Sequence, residues 1–181
     1  MHVVIVRVRE NRGFTLVELM VVVAIVGVLA TIAIIGLRRH VFTSKVVEAQ
    51  SMIQSIRVAE ESWKSTHGAY LDVSESLANH QPDNAPGENK RSFYTTGGAM
   101  NQRWQHLNPT IPGPVQFSYS VVAGLPGEAM PQPSFSTSAG LPASTADHWY
   151  VIEAIGDADG DGVNTVCASS SVSDELVCEN E

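Results

Sequence analysis

The sequence predicts an α+β chain, in which a long N-terminal helix spans a membrane with its first half and packs its second half on a small antiparallel β-sheet. Three observations carry this prediction. From Leu19 to Leu37 no residue is charged and only Thr31 is polar. An amphipathic stripe follows without a helix breaker, and two later segments alternate apolar and polar residues with the period of a strand.

A helix over Leu19–Leu37 is about 28 Å long at ~1.5 Å rise per residue, close to the ~30 Å of bilayer hydrocarbon. Beyond it, Phe42, Val46, Ala49, Ile53, Ile56 and Trp63 recur three, four or seven residues apart, an apolar stripe fit to face a sheet. Lys45, Glu48, Gln50, Gln54, Arg57 and Glu60 stand between them and are expected mostly on the outer face. No Pro or Gly interrupts Leu37 to His67, and Gly68 supplies a stop. The helix is therefore expected from about Thr15 to His67. A cofactor-binding helix is the sharper reading of the same stripe, but core packing is the expectation.

Ala69 to Pro114 reads as a connector, with Gln81–Lys90 a loop rich in Asn, Gly and Pro. Gln116–Val122 places Phe117, Tyr119 and Val121 at alternating positions, a half-buried strand. Gly124–Asp147 reads as an exposed loop, His148–Ile155 as a second strand and Glu175–Cys178 as a third. The 181 residues leave one modest domain after residue 37.

The formal net charge is −8. Setting aside Arg7, Arg9, Arg12 and Glu10 leaves 8 basic and 18 acidic residues, or −10, from Phe14 onward. From Trp104 to the end there is no Lys or Arg and there are ten carboxylates, so no clustered basic face is offered to phosphate and no specific nucleic acid is expected as a partner. Divalent cations suit this half better. The six histidines lack zinc-ligand spacing, and there is no G-x-S-x-G elbow, phosphate-binding glycine loop or C-x-x-C. Catalysis is not expected.

The apolar run exceeds the ~7–15 residues of a secretory signal core, and the plausible cut precedes it. A simple signal anchor remains an alternative. Orientation is not legible from charge, because Arg7, Arg9 and Arg12 flank one side and Arg38, Arg39 and Lys45 the other. Gly13 lets a protease approach the backbone closely. Thr15 and Glu18 have the spacing of a capping box, in which each satisfies an orphan amide of the helix start. That structural role for Glu18 is compatible with a functional one. Gly27 and Gly36 are small residues suited to close helix packing.

The string Gly13-Phe14-Thr15-Leu16-Val17-Glu18-Leu19-Met20 resembles the prepilin cleavage and methylation motif of type IV pilins and type II secretion pseudopilins. The resemblance covers about 25 residues. It implies cleavage by a membrane peptidase between Gly13 and Phe14, N-methylation of Phe14, and a need for Glu18 in filament assembly. It also implies a pilin-like fold divided into a leader (1–13), a span that becomes filament core (14–37), an amphipathic helix half (38–67) and a head (68–181). The head would hold an αβ-loop over 69–114 and a sheet over 115–178. The leader would lie in the cytoplasm and the head outside the inner membrane of a Gram-negative-type bacterium. Implied partners are identical and related subunits, prepilin peptidase, an inner-membrane assembly platform, and lipid before assembly. Many pilins carry proline where this chain has Ile35, so the resemblance does not carry a proline bend over to this position.

A methylated Phe14 amine stays basic, and a carboxylate in apolar surroundings requires such a cation. Glu18 of an incoming subunit is therefore expected to meet the Phe14 ammonium of a neighbour. The resulting reading is a subunit of a type IV pilus or pilus-like filament. A pseudopilin of a type II secretion system is one alternative, and a single-span anchored binding protein is another.

Asp157-Ala-Asp159-Gly-Asp161-Gly162 forms the first half of an EF-hand-like loop, but the position of the bidentate glutamate is Ala168. Asn164 or a backbone carbonyl would have to complete a calcium shell, and calcium sites in this region are known in the family resembled. The alternative is an acidic turn. Cys167 and Cys178 are the only cysteines, and outside the cytoplasm a disulfide between them is the expectation, against two reduced thiols.

Overall fold

The computed structural model describes residues 13–181 except 86, 88, 135–139, 158, 159, 174 and 181, and leaves the side chains of 35, 38 and 39 undescribed. Helix α1 runs Leu16–His67, continuous through Ile35 and Gly36. It ends where Gly68 adopts φ 83° and donates its N–H to Lys64 O at 2.8 Å, a left-handed stop that a side chain would oppose. Contacts divide the chain at His40, into an N-terminal unit and a head from Val41 to Glu181.

Within the head, strands β1 (Ser118–Gly124), β2 (Trp149–Gly156), β3 (Thr165–Ser170) and β4 (Val177–Glu179) form an antiparallel meander in that spatial order. Register sets the two faces. Tyr119 and Val121 of β1 lie beside Ala154 and Ile152 of β2, and these cluster with Val46, Ala49, Ile53 and Ile56 of α1. Val122, Trp149 and Val151 occupy the opposite face, under Leu77 and Met130. Each fully buried aliphatic side chain of this kind contributes about 1.5–3 kcal/mol, so the stripe on α1 is the main attachment of helix to sheet.

Three expectations need correction. The connector contains a helix, α2 (Ala99–Leu107), which buries Asn101, Trp104 and Leu107 and sets Trp104 edge-on to Phe93. Nine residues with one apolar stripe gave too short a period to separate from loop. The segment Thr165–Ser170 is a full strand, because its small residues are buried on both faces and show no alternation; the expected third strand is the short edge strand β4. Glu60 is fully buried, although it was expected on the outer face. It lies four residues after Ile56 and seven after Ile53, on the stripe itself.

The connector also covers the free edge of β1. Ser74 N–H donates to Val121 O at 2.8 Å, and Gln81 and Tyr119 exchange two backbone bonds at 2.8 Å, so the edge offers little to a foreign strand. Beneath it, His80 and Glu153 form a buried pair, Nε2 to Oε1 at 3.2 Å, and Ser134 N–H donates to Glu153 Oε2. A buried carboxylate needs such partners.

Glu60 Oε2 accepts the Leu71 N–H at 2.9 Å, while Oε1 is buried without a partner among the described residues. Burial pushes its carboxyl up to about 8, with the nearby Glu61 and Asp72 adding to the effect and the Leu71 bond opposing it. The folded state thus keeps a proton that the unfolded state releases near pH 4.5. Stability from this group is full below that pH and is lost as pH rises through 8. Chemical denaturation of the full chain in detergent is expected to show wild type losing at least about 1 kcal/mol between pH 5 and pH 8, and Glu60→Gln losing less. Equal pH dependence in the two proteins would contradict the assignment.

Cys167 and Cys178 are bonded and face each other across the β3–β4 pair, so the reading as reduced thiols is set aside. With a loop this short, replacing both by serine is expected to cost about 2–3 kcal/mol. Loss is measured as a lower denaturation midpoint, and an unchanged midpoint would show that β4 holds without its covalent tie.

Candidate functional site at the N-terminus

Helix α1 begins with a reciprocal cap. Thr15 donates to Glu18 Oε2 from its backbone N–H at 2.9 Å and from Oγ1 at 2.8 Å. Glu18 N–H donates back to Thr15 Oγ1 at 3.2 Å. The capping box read from the spacing is therefore formed, and it fixes the rotamer of Glu18 one turn inside the helix. Phe14, immediately before the cap, is 87% exposed. Gly13 and Phe14 precede the helix, so the bond between them lies outside the helical hydrogen-bonding pattern.

The segment Leu16–Ile34 is long and apolar enough to cross a membrane, and none of it is buried. Leaving more than a dozen large apolar side chains in water would forgo on the order of 20 kcal/mol, beyond the ~5–15 kcal/mol that stabilises a typical domain. An exposed apolar surface of this size calls for an apolar partner. A Cβ on Gly27 or Gly36 would meet nothing within 4 Å among the described residues.

The acidic loop lies between β2 and β3, remote in sequence from the N-terminal motif. Asp157 accepts Gly160 N–H at 2.8 Å and Gly162 N–H at 3.2 Å on its two carboxylate oxygens. Asp161 Oδ1 accepts Val163 N–H at 2.7 Å, and Asn164 O accepts from Asn180 Nδ2 at 3.1 Å. Asp159 falls outside the described residues. Among the described residues no three His, Cys, Asp or Glu side chains converge as a metal centre. The carboxylates that are described organise the loop's own amides, the geometry of an acidic turn.

Sequence reasoning missed the polar groups buried in the head. His80 and Glu153 are 73 positions apart and carry no local signal. The helical spacing of Glu60 from Ile53 and Ile56 was a signal that could have been used.

Residues 8–34 match the prokaryotic N-terminal methylation motif. The chain is 42% identical over 68 residues to the type IV major pilin protein PilA of Myxococcus xanthus, covering 38% of this chain and 31% of that protein. It is 43% identical over 54 residues to a fimbrial protein of Pseudomonas aeruginosa, covering 30% and 35%. A type II secretion system core protein G of the same species is 35% identical over 69 residues, covering 38% and 49%. The chain thus spans about a third to a half of the length of these relatives. No solved structure matches it significantly. The exposed apolar start of α1 with its Thr15–Glu18 cap thus lies in the stretch that matches the prokaryotic N-terminal methylation motif, and the chain's similarity to type IV pilin, fimbrial and type II secretion core proteins covers 30–38% of its length.

Proposed function

We propose that the chain is the structural subunit of a type IV pilus or pilus-like filament. The observation that carries this is the wholly exposed apolar half of α1, opened by a capped glutamate inside the methylation motif. Cleavage after Gly13 creates a Phe14 amine, which methylation leaves basic. Glu18 then exchanges its intrachain bonds to Thr15 for the ammonium of a neighbouring subunit as the helices move from lipid into a filament core. The same apolar surface serves both environments, and the ion pair sets the register of assembly. Identical and related subunits, prepilin peptidase and an inner-membrane platform are the partners in this reading. The precursor spans the inner membrane once with its N-terminus in the cytoplasm, and the filament lies at the cell surface or in the periplasm. No catalytic role is assigned.

A pseudopilin of a type II secretion system is the second reading, supported by the similarity to core protein G. In a single-span anchored binding protein, by contrast, the motif would not be processed. Intact-mass spectrometry separates that class: a mature start at methyl-Phe14 is expected, and a chain retaining residues 1–13 in its native host would exclude the filament reading. Glu18→Ala is expected to insert and be cleaved normally while filament yield falls at least about tenfold, the effect of losing one buried ion pair. Normal filament yield would sink the proposed exchange.

Calcium binding at Asp157, Asp159, Asp161 and Asn164 is a separate proposal, supported by the alternating oxygen donors before Gly162. Binding requires Asp157 and Asp161 to share their oxygens between the loop amides and the ion. Calorimetric titration of the full chain in detergent is expected to give millimolar or tighter affinity that Asp157→Asn weakens. Absence of heat at millimolar calcium would leave the acidic turn as the whole account.

A further inference from the structure

Between the connector turn around residues 74–84 and the start of α2 lies an open cleft of 390 Å³, within the range of small-molecule sites. Its walls are unusual for such a site in being mostly polar, and its polar side chains are each anchored at one end by the surrounding framework. Asn84 accepts the His80 N–H on Oδ1 at 2.7 Å, which leaves both N–H groups of Nδ2. Asn79 donates from Nδ2 to Ser74 O at 2.9 Å, which leaves Oδ1 as an acceptor. Arg103 donates from Nε to Val73 O and from Nη1 to Glu75 Oε1, both at 2.7 Å, which leaves Nη2. His80 lines the same cleft with its Nε2 held by Glu153. Side chains already fixed in this way lose little entropy when a ligand engages their second end.

The backbone supports the same conclusion. Glu75 sits at φ 61°, a left-handed conformation unfavourable for a residue with a Cβ, and Asp72 Oδ1 holds it there by accepting its N–H at 3.0 Å. Strain of this kind persists where surrounding structure enforces it and gathers at binding sites. Here it delivers the Glu75 carboxylate to Arg103.

Charge narrows the ligand. The two wall carboxylates, Glu75 and Asp83, are each paired with an arginine, Arg103 and Arg91 respectively. Each pair is neutral as a whole, so the walls offer no net charge that would select an anion or a cation. What remains available is an interleaved set of donors and acceptors without uncompensated charge, beside the partly buried Met100. Neighbouring hydroxyls on a sugar ring, each a donor and an acceptor, match that set, and the C–H face of the ring suits Met100.

We propose that this cleft binds a neutral saccharide of one or two hexose units through Asn79, Asn84 and Arg103. The inference concerns the head alone and stands whether or not the chain polymerises. Saturation-transfer NMR on the full chain in a zwitterionic, sugar-free detergent tests it with glucose, galactose, mannose and N-acetylglucosamine as probes. At least one is expected to bind. Asn84→Asp keeps the acceptor for His80 N–H but removes both donors, and is expected to weaken binding about fivefold or more, as for one lost hydrogen bond. Met100→Trp narrows the cleft from the α2 side and is expected to weaken it as well. No transfer from any of the four sugars, binding unchanged in both variants, or tighter binding of glucuronate than of glucose would overturn the proposal.

Discussion

The head depends on one contact, the stripe Val46, Ala49, Ile53 and Ile56 of α1 pressed against Tyr119, Val121, Tyr150 and Ile152 of the sheet. A three-residue edge strand and a single-layer meander have too little apolar surface to stand alone, because an isolated sheet leaves one face in water. The helix supplies the missing layer on one side, and the connector supplies Leu77 and Met130 on the other. Glycine is used where rings lie close to the backbone: a Cβ on Gly124 would come within 2.2 Å of the Trp149 ring, to which Gly124 is paired across β1 and β2.

The same helix carries a second, opposite chemistry at its start. In the N-terminal unit the apolar side chains of Leu16–Ile34 are exposed among the described residues, whereas in the head they are consumed by the sheet. A polar residue is tolerated in each setting only with local satisfaction. Glu18 is capped by Thr15, and Glu153 is held by His80 and Ser134. Glu60 receives the Leu71 N–H and meets the remaining cost by holding its proton. Intrachain bonding of Glu18 has a functional consequence in the filament reading. The carboxylate enters lipid already hydrogen-bonded, and a neighbour's cation need only outcompete one threonine.

The disulfide and the acidic loop both adjoin strand β3. Cys167 and Cys178 become cross-strand neighbours because β3 and β4 pair in a register that places them opposite each other. The three aspartates before Gly162 share their spacing with a cation loop, and Asp157 and Asp161 accept the amides of Gly160, Gly162 and Val163.

By itself the sequence determined the features whose local signal is long or unambiguous. The apolar run, the amphipathic stripe, the glycine stop at Gly68, the Thr15–Glu18 cap and the cores of β1 and β2 follow from spacing within one or two turns or one strand. Tertiary structure alone decided the rest. Strand β3 has no alternation to read because both of its faces are covered, and α2 is defined by what Trp104 buries. His80 and Glu153 meet only because the connector folds over the free edge of β1. Glu60 was legible by helical spacing, yet its charge argued for the outer face, and only the packed sheet shows that position prevailed over polarity. Hydrophobic periodicity is set by nearest neighbours along the chain, whereas burial of small and polar residues is set by partners tens of residues away.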